Sequence, residues 1–234
     1  MKSILFVFIT TFLTISAGIA QNFSSGQTSN DLRRDLSQGG SIWVSTRSKN
    51  TNIEGSVYLF SSWVNVSTVY MKEASYQIQN LNYNIDKDQL EAKFAEDSVL
   101  VLNSQEVLRV KIYNVELAQY YNAEKKKRGF FQTVVDTGEF MLLKQYSVSI
   151  KEGTFNPMTQ QRTKPDEYVK HEEYFIKRKE QEGLKAIKLR KSVILELVGS
   201  KGDQIKAYVK DNNLRYNNDF DISKILTYYN SLSI

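Results

Sequence analysis

The 234-residue chain contains no cysteine, one histidine and two prolines. Without a thiol there is no disulfide, no thiolate metal site, no cysteine nucleophile and no lipid attached through an N-terminal cysteine. A single imidazole, His171, cannot supply the several His or Cys ligands of the common zinc sites, and it limits a serine triad to one base. No Gly-x-Ser-x-Gly, Gly-x-Gly-x-x-Gly or phosphate-binding loop occurs, so nucleophile-elbow hydrolysis and nucleotide chemistry have no support. Apolar runs stay short of the ~20 residues that span a bilayer as a helix. What is present is 41% apolar residues, enough for a substantial core without covalent staples.

The longest apolar run, Ile4 to Ile15, follows Lys2 and leads to the small residues Ser16-Ala17-Gly18-Ile19-Ala20. That order is the pattern of a signal peptide over residues 1–20, and it predicts export, with a mature chain of 234 − 20 = 214 residues starting at Gln21. The mature charge is 30 basic minus 26 acidic residues, or +4, which suits solubility and gives nucleic acid little purchase. The excess is local. Gln21 to Gln119 holds 9 basic and 11 acidic residues, and Tyr120 to Gly199 holds 16 and 11, with Lys125-Lys126-Lys127-Arg128 and Lys177-Arg178-Lys179 the densest runs.

Residues 21–52 are rich in Ser, Asn, Gln and Gly and read as a flexible, exposed leader. From Ile53 the pattern is strand-like: Val57 to Phe60, Val66 to Lys72 and Ser75 to Tyr83 are β-branched and aromatic. Leu90, Ala92 and Phe94, then Leu108, Val110 and Ile112, alternate with polar residues, which predicts one buried and one wet face. Phe130 to Val135 and Glu139 to Ile150 continue the style, Gly153 to Lys164 reads as a loop, and Glu173 to Lys179 with Leu184 to Arg190 predicts a further hairpin turning at 180–183. After Lys191 the period lengthens: Ile205, Tyr208 and Val209, then Ile222, Ile225, Leu226 and Tyr229, take helical spacing. Asp219 and Asp221 stand where carboxylates can cap the last helix, and Ser192 to Val198, a short apolar run that fits a helix or a buried strand, is read as a helix because Gly199 offers a terminator. The expected class is α+β: an antiparallel β-sandwich or open β-barrel over 53–190, followed by a small helical segment over 191–234 packed on it.

Several motifs suggest chemistry. Val134-Val135-Asp136-Thr137-Gly138-Glu139-Phe140 carries an aspartic-protease-like Asp-Thr-Gly, the basis for a hydrolase alternative. Such an enzyme needs two carboxylates sharing a proton, and the chain has one copy with Glu139 where a small residue is usual. Between two alternating segments, the same residues predict a hairpin turn with Gly138 at positive φ. Asp86, Asp88 and Glu91 suggest a calcium loop, yet Glu91 occupies the sixth position, where the bend needs glycine, so a polar turn with solvated carboxylates is expected. His171 is expected to face solvent. Lys125 to Arg128 beside Phe130-Phe131 suggests contact with anionic headgroups or an acidic partner, against the simpler reading of a solvated loop. None of these assigns a catalytic, cofactor-binding or metal-ligating residue.

Gly55 to Phe60 with Trp63, Asn82-Tyr83-Asn84-Ile85 leading to Asp88, Leu90 and Glu91, Lys164-Pro165-Asp166, and Asp221 to Asn230 form a pattern over most of the mature chain. In it the chain resembles uncharacterised exported proteins of Bacteroidota-type bacteria. The resemblance implies a protein of the bacterial envelope, periplasmic, outer-membrane-associated or extracellular, whose partner is an envelope protein or the outer-membrane surface. It implies no activity and no site residue, and the expected role is a non-enzymatic binding or scaffold module.

Overall fold

The computed structural model describes residues 40–45, 53–72, 74–95, 98–179, 181 and 183–232. The predicted signal peptide over 1–20 and most of the predicted leader lie outside them. One part of the leader does not: Ile42–Ser45 is strand β1, paired antiparallel with β7 (Ser98–Val101). The polar flanks hide a four-residue strand that only its partner reveals.

β1 and β7 continue through β6 (Gln89–Ala95) to β5 (Leu81–Asn84) as a four-stranded sheet. The larger sheet runs in the order β15 (Lys185–Ile187), β14 (Asp166–Arg178), β11 (Phe140–Lys151), β10 (Lys127–Asp136), β9 (Val115–Asn122), β8 (Val107–Ile112), β3 (Val66–Met71), β4 (Ser75–Gln79). Strand β2 (Ile53–Glu54) adds a two-residue parallel pairing to β14, a departure from the all-antiparallel expectation. The predicted loop at 153–164 holds a small hairpin, β12 (Phe155–Asn156) with β13 (Gln161–Arg162).

The stretch Ser75 to Tyr83, read as one strand, is two strands in two different sheets. Asn80 sits between them at φ +54°, a left-handed conformation that asparagine tolerates better than most residues, and the chain turns there from β4 into β5. Val57 to Phe60 lies along β5 without forming a full strand. Leu59 N–H donates to Tyr83 O (2.9 Å) and Ile85 N–H to Val57 O (2.9 Å). Buried asparagines hold it there. Asn82 donates to Phe60 O (2.9 Å), Asn65 donates to Leu81 O (2.9 Å), and Asn84 donates to the Glu91 carboxylate (2.9 Å), which also accepts from Tyr58 O–H (2.7 Å). Glu91, expected on a wet face, is 2% exposed, its carboxylate taken up by the Tyr58 hydroxyl and the Asn84 amide. Tyr58, Asn84 and Glu91 therefore form one polar network, with the Asn82 amide bonded to the Phe60 backbone beside it.

A bulge explains the other broken alternation. Tyr70 pairs with Arg109 but Met71 with Val107, so Val107, Val110 and Ile112 are buried while Leu108 is turned outward.

One face of β11 carries two cores in succession. Tyr146 and Val148 pack with Tyr83, Leu90, Leu117 and Phe130 between the two sheets, a sandwich at that end. Phe140 and Leu142 pack against three helices, α1 (Lys191–Val198), α2 (Gly202–Asp211) and α3 (Asp219–Ser231), the first two joined by a 3-10 turn. Ile194, Ile205, Val209, Ile222, Ile225, Leu226 and Tyr229 are buried on the faces that their spacing predicts. Gly199 ends α1 at φ +54° as expected, whereas α3 is capped by Asn218, whose side chain accepts from Asp221 N–H (2.8 Å), and not by a carboxylate. Asp219 instead meets Lys144 (2.5 Å), which lies on β11 between the two cores with Glu172 at 3.3 Å. Burial opposes the Lys144 cation, but the Asp219 carboxylate outweighs it and holds the pKa above the ordinary lysine value. On the opposite face of the large sheet Phe131, Leu143 and Phe175 form a third, smaller core.

A candidate site in a basic groove at the strand ends

The Asp-Thr-Gly motif is the turn between β10 and β11. Gly138 has φ +79° and donates to the Asp136 carboxylate (2.8 Å), and Thr137 N–H donates to Phe140 O (3.0 Å). Glu139 has its own purpose here: it accepts from Tyr229 O–H (2.6 Å) and ties the turn to α3. Asp136 is exposed. The depression beside it, about 270 Å³, is lined by Lys177 and Lys179 and, besides Asp136, by no carboxylate among the described residues. The geometry of this loop is that of the expected hairpin turn, and within the described part of the chain it places no second carboxylate in the depression beside Asp136.

Residues 85–88 are a turn between β5 and β6, as expected, but the carboxylates diverge. Asp86 is exposed, Asp88 turns inward to accept from Tyr83 O–H (2.7 Å) and Phe130 N–H (3.0 Å), and Glu91 lies in the asparagine network. Among the described residues no three His, Asp or Glu side chains are grouped so as to hold a metal ion. His171 is exposed midway along β14, its Nε2 2.8 Å from Ser149 Oγ. Both side chains are exposed and, among the described residues, no carboxylate orients the ring, so the pair lacks what a nucleophile and base require.

The two basic runs come together. Alternation at the end of β14 sends Lys177, paired with Met141, to one face and Arg178, paired with Phe140, to the other. Lys177 and Lys179 then line a groove of about 490 Å³ with Arg128, Tyr120 and Tyr121, floored in part by Leu184. Of the Lys125 to Arg128 run, Arg128 reaches this groove, while Lys125 folds back to the Gln145 side chain and the Glu173 carboxylate (both 2.9 Å). The run is thus not one patch: its first cation is paired and its last faces the groove. Among the described residues Arg128, Lys177 and Lys179 form no ion pair. Tyr120 packs edge-on against Phe131, and burial pushes its phenol pKa up, so it stays a neutral hydrogen-bonding group. Tyr121 is 51% exposed. The arrangement offers positive charge and flat amphipathic rings, chemistry suited to holding an anion. Charge runs separated in sequence gave no sign of this meeting; only the register of β9, β10 and β14 produces it.

Among the described residues no helix is long and apolar enough to cross a membrane. No protein-family model, curated protein or solved structure matches the chain.

Proposed function

We propose that the protein is an exported, non-enzymatic binding or scaffold module of the bacterial cell envelope that meets an anionic partner through the groove of Arg128, Lys177 and Lys179. The observation that carries this reading is convergence. Cations 49 positions apart in the chain line one groove beside two tyrosines and lack ion partners among the described residues. Cations held without a partner repel one another, an arrangement that an incoming anion relieves. Export and the envelope setting are supported by the leading signal-peptide pattern and by the resemblance of the mature chain.

The test is affinity purification from the native membrane fraction with the parent protein and with Arg128→Gln/Lys177→Gln/Lys179→Gln. The expected result is at least a tenfold loss of a co-purifying envelope component from the triple variant, with Lys125→Gln retaining it. Unchanged recovery of every component refutes the groove. A mature N-terminus at Gln21 in the envelope fraction checks export.

A further inference from the structure

A second depression, of about 560 Å³, adjoins the groove at Gln181, Gly183 and Leu184 and lies between β15 and the start of α1. That is the size range, roughly 300 to 1,000 Å³, in which proteins take small-molecule ligands. Its floor is apolar: Ile176, Leu184, Ile187, Val193 and Leu197 line it. Ile176, Ile187 and Leu197 also belong to the helical core and Leu184 to the third core, so the cleft is the unfilled margin of two packed interiors. It is bounded by β15, three residues long, and α1, eight residues long.

The rim is predominantly basic. Arg178, Lys185, Lys188 and Arg190 line the cleft against Glu196, and among the described residues none of the four cations forms an ion pair. The wider sequence agrees: residues 177–197 hold seven basic and three acidic side chains, a net +4 that already counts Glu180 and Glu182. A mainly basic rim by itself suits any anion, and an apolar floor by itself suits any grease. Their combination in one concavity selects a molecule with both ends.

We infer that this cleft binds single-chain amphipathic anions, an acyl chain laid on the Ile176, Ile187, Val193 and Leu197 floor with its carboxylate or phosphate head at Lys188 and Arg190. The occupant is a monomeric amphiphile; a bilayer surface would meet the exposed cations but could not enter the floor. The cleft adjoins the groove proposed above and shares Gln181, Gly183 and Leu184 with it, but it uses different cations and needs no second macromolecule, so the two are tested separately.

The purified protein is titrated with dansyl-aminoundecanoate and the fluorescence read, with dodecanoate, dodecanol and anionic phosphatidylglycerol vesicles as competitors. The expected result is saturation at one probe per chain, displacement by dodecanoate, and displacement by dodecanol at least tenfold weaker. Lys188→Gln/Arg190→Gln weakens the probe at least tenfold, whereas Lys151→Gln/Lys210→Gln, which removes equal charge elsewhere, changes it less than twofold. Ala186→Trp and Val193→Trp fill the cleft from opposite walls and abolish binding, each scored only if its thermal unfolding matches the parent. Absence of saturable binding overturns the inference. So do equal displacement by dodecanol, equal weakening in the control variant, or binding retained in a folded cleft-filling variant. Vesicle binding without displacement of the probe by dodecanoate shows a membrane surface in place of a monomer site and overturns it too.

Discussion

Asp88 makes the sharpest demand on the fold. Its carboxylate accepts from Tyr83 O–H (2.7 Å) and from Phe130 N–H (3.0 Å), joining the small sheet to the first residues of β10. At Phe130 the β10 backbone has no pairing with β11, whose register with β10 begins at Gln132 and Lys144, so Asp88 takes the place of a strand partner. Gly129 makes room: a Cβ there would stand 2.9 Å from the Asp88 carboxylate. Asp88→Ala removes two hydrogen bonds to a charged acceptor, at ~1.5–3 kcal/mol each, discounted here to a combined ~3 kcal/mol because the carboxylate is half-buried. Alanine at the φ of +54° found at this position adds about 1 kcal/mol of left-handed strain. The expected loss is about 4 kcal/mol, a large part of the ~5–15 kcal/mol that domains typically possess. Asp88→Gly omits the strain and should lose about 1 kcal/mol less than alanine. Asp88→Asn keeps an acceptor of the same shape and should lose about 1–2 kcal/mol. Exposed Asp86→Ala is the control, within ~0.5 kcal/mol of the parent. Urea unfolding followed by circular dichroism measures all four. Asp88→Ala no more damaging than Asp86→Ala, or Asp88→Gly worse than Asp88→Ala, would refute the reasoning.

The Lys144 and Asp219 pair should be asymmetric. Lys144→Met leaves a carboxylate 29% exposed to water and should cost less than ~1 kcal/mol, whereas Asp219→Asn strands an ammonium 7% exposed, with Glu172 at 3.3 Å in partial compensation, and should cost ~2–3 kcal/mol in urea unfolding. Equal costs would contradict the burial argument. Stability should also fall on the alkaline side. Burial pushes up the phenols of Tyr58, Tyr83, Tyr146 and Tyr174, and that of Tyr229 to about 12, while Lys144 is held above its ordinary value. A raised folded-state pKa gives stability that is complete below the unfolded value, ~10 for tyrosine and ~10.4 for lysine, and lost as pH climbs towards the folded one. Urea midpoints should therefore drop steadily from about pH 10 upward, with part of the tyrosinate absorbance appearing only as the fold is lost. Tyrosinate that titrates fully before the fold is lost would count against buried phenols.

Local patterns were enough for much of the architecture. Helical spacing at Ile222, Ile225, Leu226 and Tyr229 and the turn chemistry of Asp136 to Gly138 depend on neighbours within a few residues, so composition and period predict them. The α+β class follows from the same signals, since strands precede helices along the chain. What the sequence could not carry were partnerships at long range. Asn80 divides one strand-like run between two sheets, β1 exists because β7 offers it an edge, and a bulge opposite Tyr70 and Met71 reverses Leu108. Each outcome depends on which strand lies alongside, and a period-two pattern is silent on that choice. The polar residues follow the same division. Sequence alone determined that Glu91, Asp88 and Lys144 are charged; the tertiary structure decided that Glu91 and Lys144 are buried and Asp88 half-buried, with partners at Tyr58, Asp219 and Tyr83. It also decided that Arg128, Lys177 and Lys179 share a groove, because a cation's charge is written in its residue type but its neighbours are set by sheet register.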